Sequence, residues 1–542
     1  MTISLLNNSR SGPAMRLVPS WLQSKGPPAF ILVPSIILAI SLSLPSAYLI
    51  GSAITKGTEL WAVLVNARTL ELLSNTILLV FGVSLCSLIV ATPIAWVTTR
   101  TNTPFRRFWV VVTILPLVIP SYVGGFIMIL TLGPKGVLQS FIGIDELPSI
   151  YGYTGALVTL TLLSFPYALL PIRAALMRMD TSLEEASLTL GKSKLSTFIN
   201  VTFPHLRTSM AAGTMLVALY TLSDFGAVSM LRYETFTWAI YVQYESMFDR
   251  TMASGLSMIL VAIAILFMIG ESKTRPSNEN YQSLKGTLKP ITIVDIGKWK
   301  WAATSFCGMI STLSLFMPIA MLIYWAIGIL GKEDLLINLW TVSSNSFYIS
   351  FLATFVTVLA ATPIAIMTVR YQGKFSSILE KLTYTTFALP GIVVAISLVY
   401  FAVHHANPIY QTHLLLIFSY LVLFIPMAMG AIRTSLIQIN PSLEESARSL
   451  GSGAFQAFFS ITLPIIRPGM LSGAALVFLL CMKELPATLI LSPIGFTTLA
   501  TSIWTTAEEA FFGQAAVASL VLISASAIPM LFLTSGREGK SI

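Results

Sequence analysis

The chain contains 542 residues, of which 55% are hydrophobic and only 10% are charged, and its mean hydropathy is +0.81. Soluble domains carry about 25% charged residues, so this composition excludes an ordinary soluble protein and indicates a polytopic membrane protein. No long polar block remains for a separate catalytic domain. The net charge of +9 could suggest that the protein binds nucleic acid. The placement of the basic residues instead indicates which loops face the cytoplasm, and we expect no nucleic-acid partner.

Apolar runs recur along the whole chain and predict its membrane spans. About 20 apolar residues in a helix cross the roughly 30 Å hydrocarbon core of a bilayer, and twelve runs come near or exceed that length. We therefore expect an all-α membrane protein with about twelve transmembrane helices. The predicted spans are residues 30–51, 73–99, 109–132, 153–177, 209–231, 253–270, 303–330, 346–369, 383–403, 413–436, 468–491 and 514–534.

The predicted spans divide into two halves of six. The stretch between them is polar, basic and rich in turn-forming residues, which is typical of a linker. The sequence therefore predicts an N-terminal segment, a first half, a linker, a second half and a short tail, with the three polar parts in the cytoplasm. These five parts are residues 1–29, 30–270, 271–300, 301–535 and 536–542.

The basic residues indicate which side of the membrane each loop occupies. Cytoplasmic loops carry an excess of Lys and Arg. With the N-terminus in the cytoplasm, 25 of the 32 basic residues lie in inside segments or at the cytoplasmic ends of spans, and six lie in outside loops. The remaining one, Lys483, lies inside a span. We therefore expect a multi-pass protein of the bilayer with both termini in the cytoplasm.

The two halves repeat each other in sequence. ATPIAWVTTR at 91–100 matches ATPIAIMTVR at 361–370 with an offset of 270, and Asn75 pairs with Asn345 at the same offset. Over residues 182–213 the offset is 260, with twelve identities in 32 aligned positions. Six spans in each half give both halves the same orientation, so we expect a parallel repeat around a pseudo-two-fold axis along the membrane normal.

One polar phrase occurs in both halves. SLEEASLTLG at 182–191 returns as SLEESARSLG at 442–451, in equivalent predicted cytoplasmic loops. Each copy predicts a short helix that ends at a left-handed glycine, Gly191 or Gly451, with a second short helix before the next span. Loop helices can be merely structural, but two copies on the same side of the membrane favour a docking surface.

This pattern resembles the EAA loop of bacterial ABC-importer permeases of type I architecture. In that family the loop forms coupling helices that enter a groove on each ATPase subunit, so the resemblance implies two copies of a cytoplasmic ABC ATPase as partners. It also implies the bacterial inner membrane as the location. The residues that carry over are Glu184, Glu185, Ala186 and Gly191 in the first half and Glu444, Glu445 and Gly451 in the second.

The chain itself is not expected to bind ATP. Gly191-Lys192-Ser193 resembles the end of a phosphate-binding loop, but Ala186 stands where the first glycine of that motif is required. We predict no cofactor and no enzymatic activity, because ATP hydrolysis would belong to the separate partner subunit.

The segments after the two EAA-like loops point to a substrate. SDFGAVSMLRYETFTWAIYVQ at 223–243 and MKELPATLILSPIGFTTLAT at 482–501 resemble the corresponding segments of fused, two-half ferric-iron importer permeases. The resemblance implies ferric iron as substrate and a periplasmic binding protein that delivers it. Thiamine or another small solute is the alternative substrate, and a secondary transporter of 6+6 design is the alternative of another class.

Three charged residues fall at predicted membrane depth. Asp224 and Glu484 align at the offset of 260, and Lys483 stands beside Glu484. Intramembrane charges usually face a pathway or a partner, and Fe³⁺ as a hard cation prefers oxygen ligands. Two interpretations therefore stay open: a translocation pathway or gate, with Asp224 and Glu484 as candidate metal ligands, or a Lys483–carboxylate contact that only fixes helix register.

The outward loop HHANPIYQTH contains His404, His405 and His413. The three have no regular ligand spacing, and the loop has no counterpart in the other half. These features favour a surface or binding-protein contact over a metal site.

Overall fold

The structure is built from helices. The computed structural model describes residues 26–55, 57, 66–134, 136–137, 139, 143, 148–179, 182–247, 250–274, 293–329, 333–371, 373–387, 389–440 and 442–538. Within these ranges there is no β-strand, and one isolated bridge joins Thr101 to Val294. The predicted all-α class is therefore confirmed.

The first half contains eleven of the described α-helices. A 3-10 turn, Leu115–Val118, separates the third from the fourth, and a π-helical turn, Phe198–Thr202, joins the seventh to the eighth. The helices are α1 Ala29–Thr55, α2 Ala67–Arg100, α3 Arg106–Val112, α4 Ser121–Leu132, α5 Tyr153–Arg178, α6 Ser182–Thr189, α7 Lys194–Thr197, α8 Phe203–Ser223, α9 Gly226–Met230, α10 Phe236–Glu245 and α11 Arg250–Thr274.

The second half repeats this order. Each helix from α2 to α11 has a counterpart twelve helices later in the chain, and α12 with α13 takes the place of α1. This order confirms the predicted repeat of two halves. The helices are α12 Trp299–Ser311, α13 Met317–Ile327, α14 Glu333–Arg370, α15 Lys374–Phe387, α16 Gly391–His405, α17 His413–Ile437, α18 Ser442–Ser449, α19 Ala454–Ala457, α20 Leu463–Met482, α21 Pro486–Leu491, α22 Leu499–Glu508 and α23 Phe512–Glu538.

Two of the predicted spans are sharply broken. Nine helices in the described ranges are long and apolar enough to cross a membrane, or eleven spans if each of two bent pairs counts as one. The spans predicted at 109–132 and 383–403 are these pairs, which bend by 96° and 110°. Pro120 and Pro390 stand directly before α4 and α16. A proline disfavours helical backbone in the residue before it and has no N–H for the helix, which explains both breaks.

The fifth predicted span of each half ends earlier than its apolar run. The spans at 209–231 and 468–491 correspond to α8 and α20, which end at Ser223 and Met482. α20 belongs to one of the nine long apolar helices, whereas α8 does not. Even so, α8 packs against α2 and α5 just as α20 packs against α14 and α17, so the two helices hold equivalent places in the bundle.

Small residues allow this close packing. A Cβ atom on Gly213 of α8 would lie 2.9 Å from the Cα atom of Ala168 in α5. The equivalent contact joins Gly473 of α20 to Ala428 of α17, at 3.3 Å. Close approach of backbones at small residues is the common way in which membrane helices associate.

The first helix of each half also packs on the other half. α1 packs against α14, α15 and α16 as well as against α11 of its own half. In the same way, α12 and α13 reach α3 and α4, while α13 also packs against α23. The two halves are therefore interlocked, because the first helix of each half packs on helices of the other half.

Candidate functional site

The two copies of the polar phrase fold alike. Gly191 and Gly451 have φ angles of +82° and +94° and directly follow the last turn of α6 and α18. In both copies the glycine N–H donates to the carbonyl three residues back, and the next N–H donates to the carbonyl five residues back. This is a Schellman ending, which favours glycine because other residues rarely adopt positive φ. The prediction of a left-handed glycine is confirmed.

The adjacent glutamates of the first copy have different surroundings. Glu184 turns inward, where its Oε1 accepts a hydrogen bond of 2.8 Å from Thr202 and its Oε2 lies 3.6 Å from a guanidinium nitrogen of Arg100. Glu185 is exposed. The first glutamate therefore holds the loop against the bundle, and the second faces away from it.

The second copy repeats the inward contacts. Glu444 accepts a hydrogen bond of 2.6 Å from Thr462 and lies 3.9 Å from a guanidinium nitrogen of Arg370. Its neighbour Glu445 is half-buried. Arg100 and Arg370 are the last residues of the repeated segments 91–100 and 361–370, whereas Glu184 and Glu444 belong to the repeated polar phrase. The two most similar repeated segments are therefore in contact with each other in each half.

Arg100 is buried under this contact. Its side chain is only 3% exposed, and none of its three nitrogens has a hydrogen-bond acceptor among the described residues. The sequence pairs Arg100 with Arg370 as identities of the repeat but assigns no role to either. Their position at the end of a repeated segment was the available signal, but only the fold shows that Glu184 lies beside Arg100.

The outer side of both loops is apolar at its tip. Leu190 and Leu450, directly before the two glycines, are 81% and 87% exposed. Ala186 is exposed on α6. Two further leucines of α6 are exposed as well, and a cluster of exposed apolar side chains commonly marks a contact with another protein. In the first loop, Leu190, Ala186 and Glu185 therefore form an outward surface that the described part of the bundle does not cover.

Asp224 and Glu484 occupy equivalent positions at the far ends of α8 and α20. Asp224 is 6% exposed, and its Oδ1 accepts the N–H of Ala227 at 3.0 Å. Glu484 is half-buried, and its Oε1 accepts the N–H of Ala487 at 3.2 Å. Each carboxylate caps the short helix that follows, which explains why the long helix stops there instead of continuing through the apolar run.

Lys483 connects the two halves. Its ammonium donates a hydrogen bond of 3.0 Å to the carbonyl of Leu117, in the 3-10 turn of the first half. The residue at the offset of 260 is Ser223, so a lysine occurs in this position in one half only. The contact fits either a gate or a fixed cross-link between the halves.

The histidines of the second half stack on aromatic rings. His404 stacks on Tyr400 with ring centroids 4.0 Å apart, and His413 meets the ring of Phe496 edge-on at 4.6 Å. Among the described residues, no group of three or more His, Cys, Asp or Glu side chains is placed to hold a metal ion. The structure therefore offers no multi-ligand site for a resident metal in those ranges.

The chain is similar in sequence to known transport proteins. The family described as "Binding-protein-dependent transport system inner membrane component" matches residues 84–270 and 358–535. The chain is 38% identical to the Fe(3+)-transport system permease protein FbpB 2 of Haemophilus influenzae over 94% of its own length and 98% of the relative. It is 26% identical to the ferric transport system permease protein FbpB of Actinobacillus pleuropneumoniae over 93% and 76%.

A third relative matches only part of the chain. The molybdenum transport system permease protein ModB of Escherichia coli is 32% identical over 34% of this chain and 84% of its own length. The fused length of the chain is thus shared with the ferric relatives, whereas ModB is the size of a single half. The two family matches fall on the two halves of the fold, and the chain belongs to the family of inner membrane components of binding-protein-dependent transport systems.

Proposed function

We propose that this chain is the permease subunit of an ATP-driven importer that carries ferric iron across the bacterial inner membrane. The observation that carries the proposal is the pair of loops: two identically folded helix–glycine–helix units, each tied to its half by a glutamate, an arginine and a threonine. A secondary transporter of 6+6 design would have no need of such a pair. Two copies of a cytoplasmic ATPase are the proposed partners.

The outward surfaces of the loops support ATPase docking. Leu190 and Leu450 offer an apolar tip in each half, and Glu185 and Glu445 stand beside it. Interfaces combine an apolar centre with polar groups at the rim. The two loops lie at equivalent positions of a pseudo-two-fold bundle, so two ATPase subunits would meet similar surfaces.

The ferric substrate is proposed from the relatives and from the chemistry of the pathway candidates. Two relatives that each match more than nine-tenths of this chain are described as ferric or Fe(3+) permeases. Asp224 and Glu484 supply hard carboxylate oxygens, which suit the hard cation Fe³⁺. Lys483 lies next to Glu484 and across from Leu117, which favours a role in closing the pathway over a role in binding a cation.

The proposed cycle uses the two halves as rigid bodies. A periplasmic binding protein delivers the iron to the outer loops, and ATP-driven closure of the ATPase subunits moves both cytoplasmic loops. The halves then rock between outward-open and inward-open states. ATP is hydrolysed by the partner, and this chain carries out no covalent chemistry.

Uptake into proteoliposomes tests the proposal directly. The chain, its ATPase and its binding protein are reconstituted together, and ferric ion or thiamine is supplied outside with ATP inside. We expect iron to accumulate only when all three proteins and ATP are present. Iron uptake without ATP would contradict the mechanism, and uptake of thiamine instead of iron would contradict the substrate.

The glycine of the first loop gives a test of docking. A Gly191→Val variant forces a β-branched residue to a φ of +82°, which costs about 1–3 kcal/mol. No described heavy atom lies within 4 Å of the added Cβ, so the penalty is backbone strain and not a clash. We expect the ATPase that co-purifies with this variant to fall several-fold.

Gly191→Asn is the matched control, because asparagine tolerates left-handed backbone. It should retain most of the bound ATPase. Equal ATPase retention by the Val and Asn variants, with the same result at Gly451, would exclude a docking role that depends on this turn.

The two carboxylates can be neutralised without loss of their caps. Asp224→Asn and Glu484→Gln keep an oxygen that accepts the N–H of Ala227 or Ala487, but they remove the negative charge. If the carboxylates line the pathway, ATP-dependent iron uptake should fall roughly tenfold or more, which corresponds to about 1.4 kcal/mol in the barrier. Uptake within twofold of the parent chain in both variants would instead assign these residues to helix capping alone.

A further inference from the structure

Asn75 and its neighbour fix the start of α10. The Asn75 side-chain amide donates a hydrogen bond of 3.1 Å to the carbonyl of Glu234, and the hydroxyl of Thr76 accepts the N–H of Phe236 at 3.2 Å. The phenol of Tyr233 donates back to the carbonyl of Asn75 at 3.1 Å. The loop before α10 is therefore held on the outer part of α2, far from the end that carries Arg100.

The second half holds α22 in the same way. Asn345 donates to the carbonyl of Thr497 at 3.0 Å, and the hydroxyl of Ser346 accepts the N–H of Leu499 at 2.6 Å. The asparagine that the sequence paired at an offset of 270 thus has the same structural partner in both halves. The same hydrogen bonds fix the start of α10 in the first half and of α22 in the second. This repetition indicates that the orientation of the two helices matters to the fold or to the transport step.

What the two pinned helices share is an aromatic side chain at the same position. Tyr241 is the sixth residue of α10, and Trp504 is the sixth residue of α22. Both rings pack on the ring of Phe225, with centroids 4.8 Å and 5.1 Å away. Because equivalent residues of the two halves contact one ring, this cluster lies beside the pseudo-two-fold axis, where a pathway between the halves would run.

The cluster also stands next to the pathway candidates. Phe225 directly follows Asp224, and Thr237 in the first turn of α10 donates a hydrogen bond of 2.6 Å to the carbonyl of Asp224. Phe225 and Trp504 are 2% and 3% exposed, so these two rings fill the space between the halves, and Tyr241 is half-buried beside them. The cytoplasmic loops lie at the opposite end of α8, which is 21 residues long and therefore spans about 31 Å.

We propose that Phe225, Tyr241 and Trp504 form an aromatic plug that closes the outer end of the translocation pathway above Asp224. Asn75 and Asn345 are positioning residues that hold α10 and α22 in the closed arrangement. The inference rests on the proposed function for the existence of a pathway. It adds where that pathway is closed and which side chains keep it so.

Thiol labelling from outside tests the plug. Thr237 is 1% exposed beside the cluster, so a Thr237→Cys chain, assembled with its ATPase in membranes, should react slowly with a charged, membrane-impermeant thiol reagent. Adding Asn345→Ala removes one hydrogen bond, worth about 1 kcal/mol, and should speed labelling roughly fivefold. Trp504→Ala removes a plug ring and should speed it more.

The added substitutions, at Asn345 and Trp504, lie in the second half, whereas the labelled position, Thr237, lies in the first. Asn345 pins α22 and Trp504 belongs to it, so they can expose Thr237→Cys only if the two halves close the pathway together. Trp504→Phe keeps a ring and should label almost as slowly as the reporter chain. Asn200→Ala is a matched control, because among the described residues the Asn200 side chain bonds within its own helical turn, to Ser196.

Labelling of the chain without the reporter sets the background from the three natural cysteines. Labelling unchanged by Asn345→Ala and Trp504→Ala, with faster labelling by Asn75→Ala alone, would show local packing and overturn the plug. If Trp504→Ala fails to assemble with the ATPase, the Asn345→Ala rate decides. Labelling needs neither iron nor ATP turnover, so a wrong substrate assignment would leave this result unaffected.

Discussion

The contact between a buried arginine and the inward glutamate is the interaction on which each half depends. Arg100 is almost fully buried, and Glu184 is the acidic side chain beside it, 3.6 Å away. A buried charge that loses its partner is strongly destabilising. Moving the loop away from Arg100 would therefore cost free energy. Arg370 and Glu444 repeat the contact at the end of α14. The buried charge therefore holds the first loop to its bundle more strongly than the second, where Arg370 also donates to the carbonyl of Ile439.

The contacts of Glu184 connect the first loop, through α8, to the opposite end of the protein. Thr202, which donates to Glu184, lies directly before α8, and α8 ends beside Asp224 and Phe225. A continuous helix transmits a displacement along its axis without bending when no proline or glycine pair interrupts it. A movement of the first loop would thus reach the carboxylate and the aromatic cluster together. α20 holds the equivalent place in the second half, but Pro468 lies inside it, so the condition of an uninterrupted helix holds for α8 and not for α20.

Much of this arrangement was predictable from local pattern. The repeat offsets placed Arg100, Glu184 and Asn75 opposite their counterparts, and the motif required glycine where the backbone turns left-handed. The early ends of α8 and α20 were not predictable, because the apolar run continues past Asp224 and only the capping contact stops the helix. The hydrogen bond from Lys483 to Leu117 joins residues 366 positions apart, and no periodicity in the sequence reports such a contact.

The most direct measurement is the amount of iron transported per ATP hydrolysed in the reconstituted complex. Glu184→Gln with Glu444→Gln removes both charges under the loops while the outward surface stays in place, and Thr202→Val removes only the neighbouring hydrogen bond. The ratio is measured on the fraction of the double glutamine variant that folds and retains the ATPase. If these contacts transmit motion, this fraction still hydrolyses ATP, while the iron transported per ATP falls several-fold. An unchanged ratio in the double glutamine variant would contradict the central role assigned to these contacts.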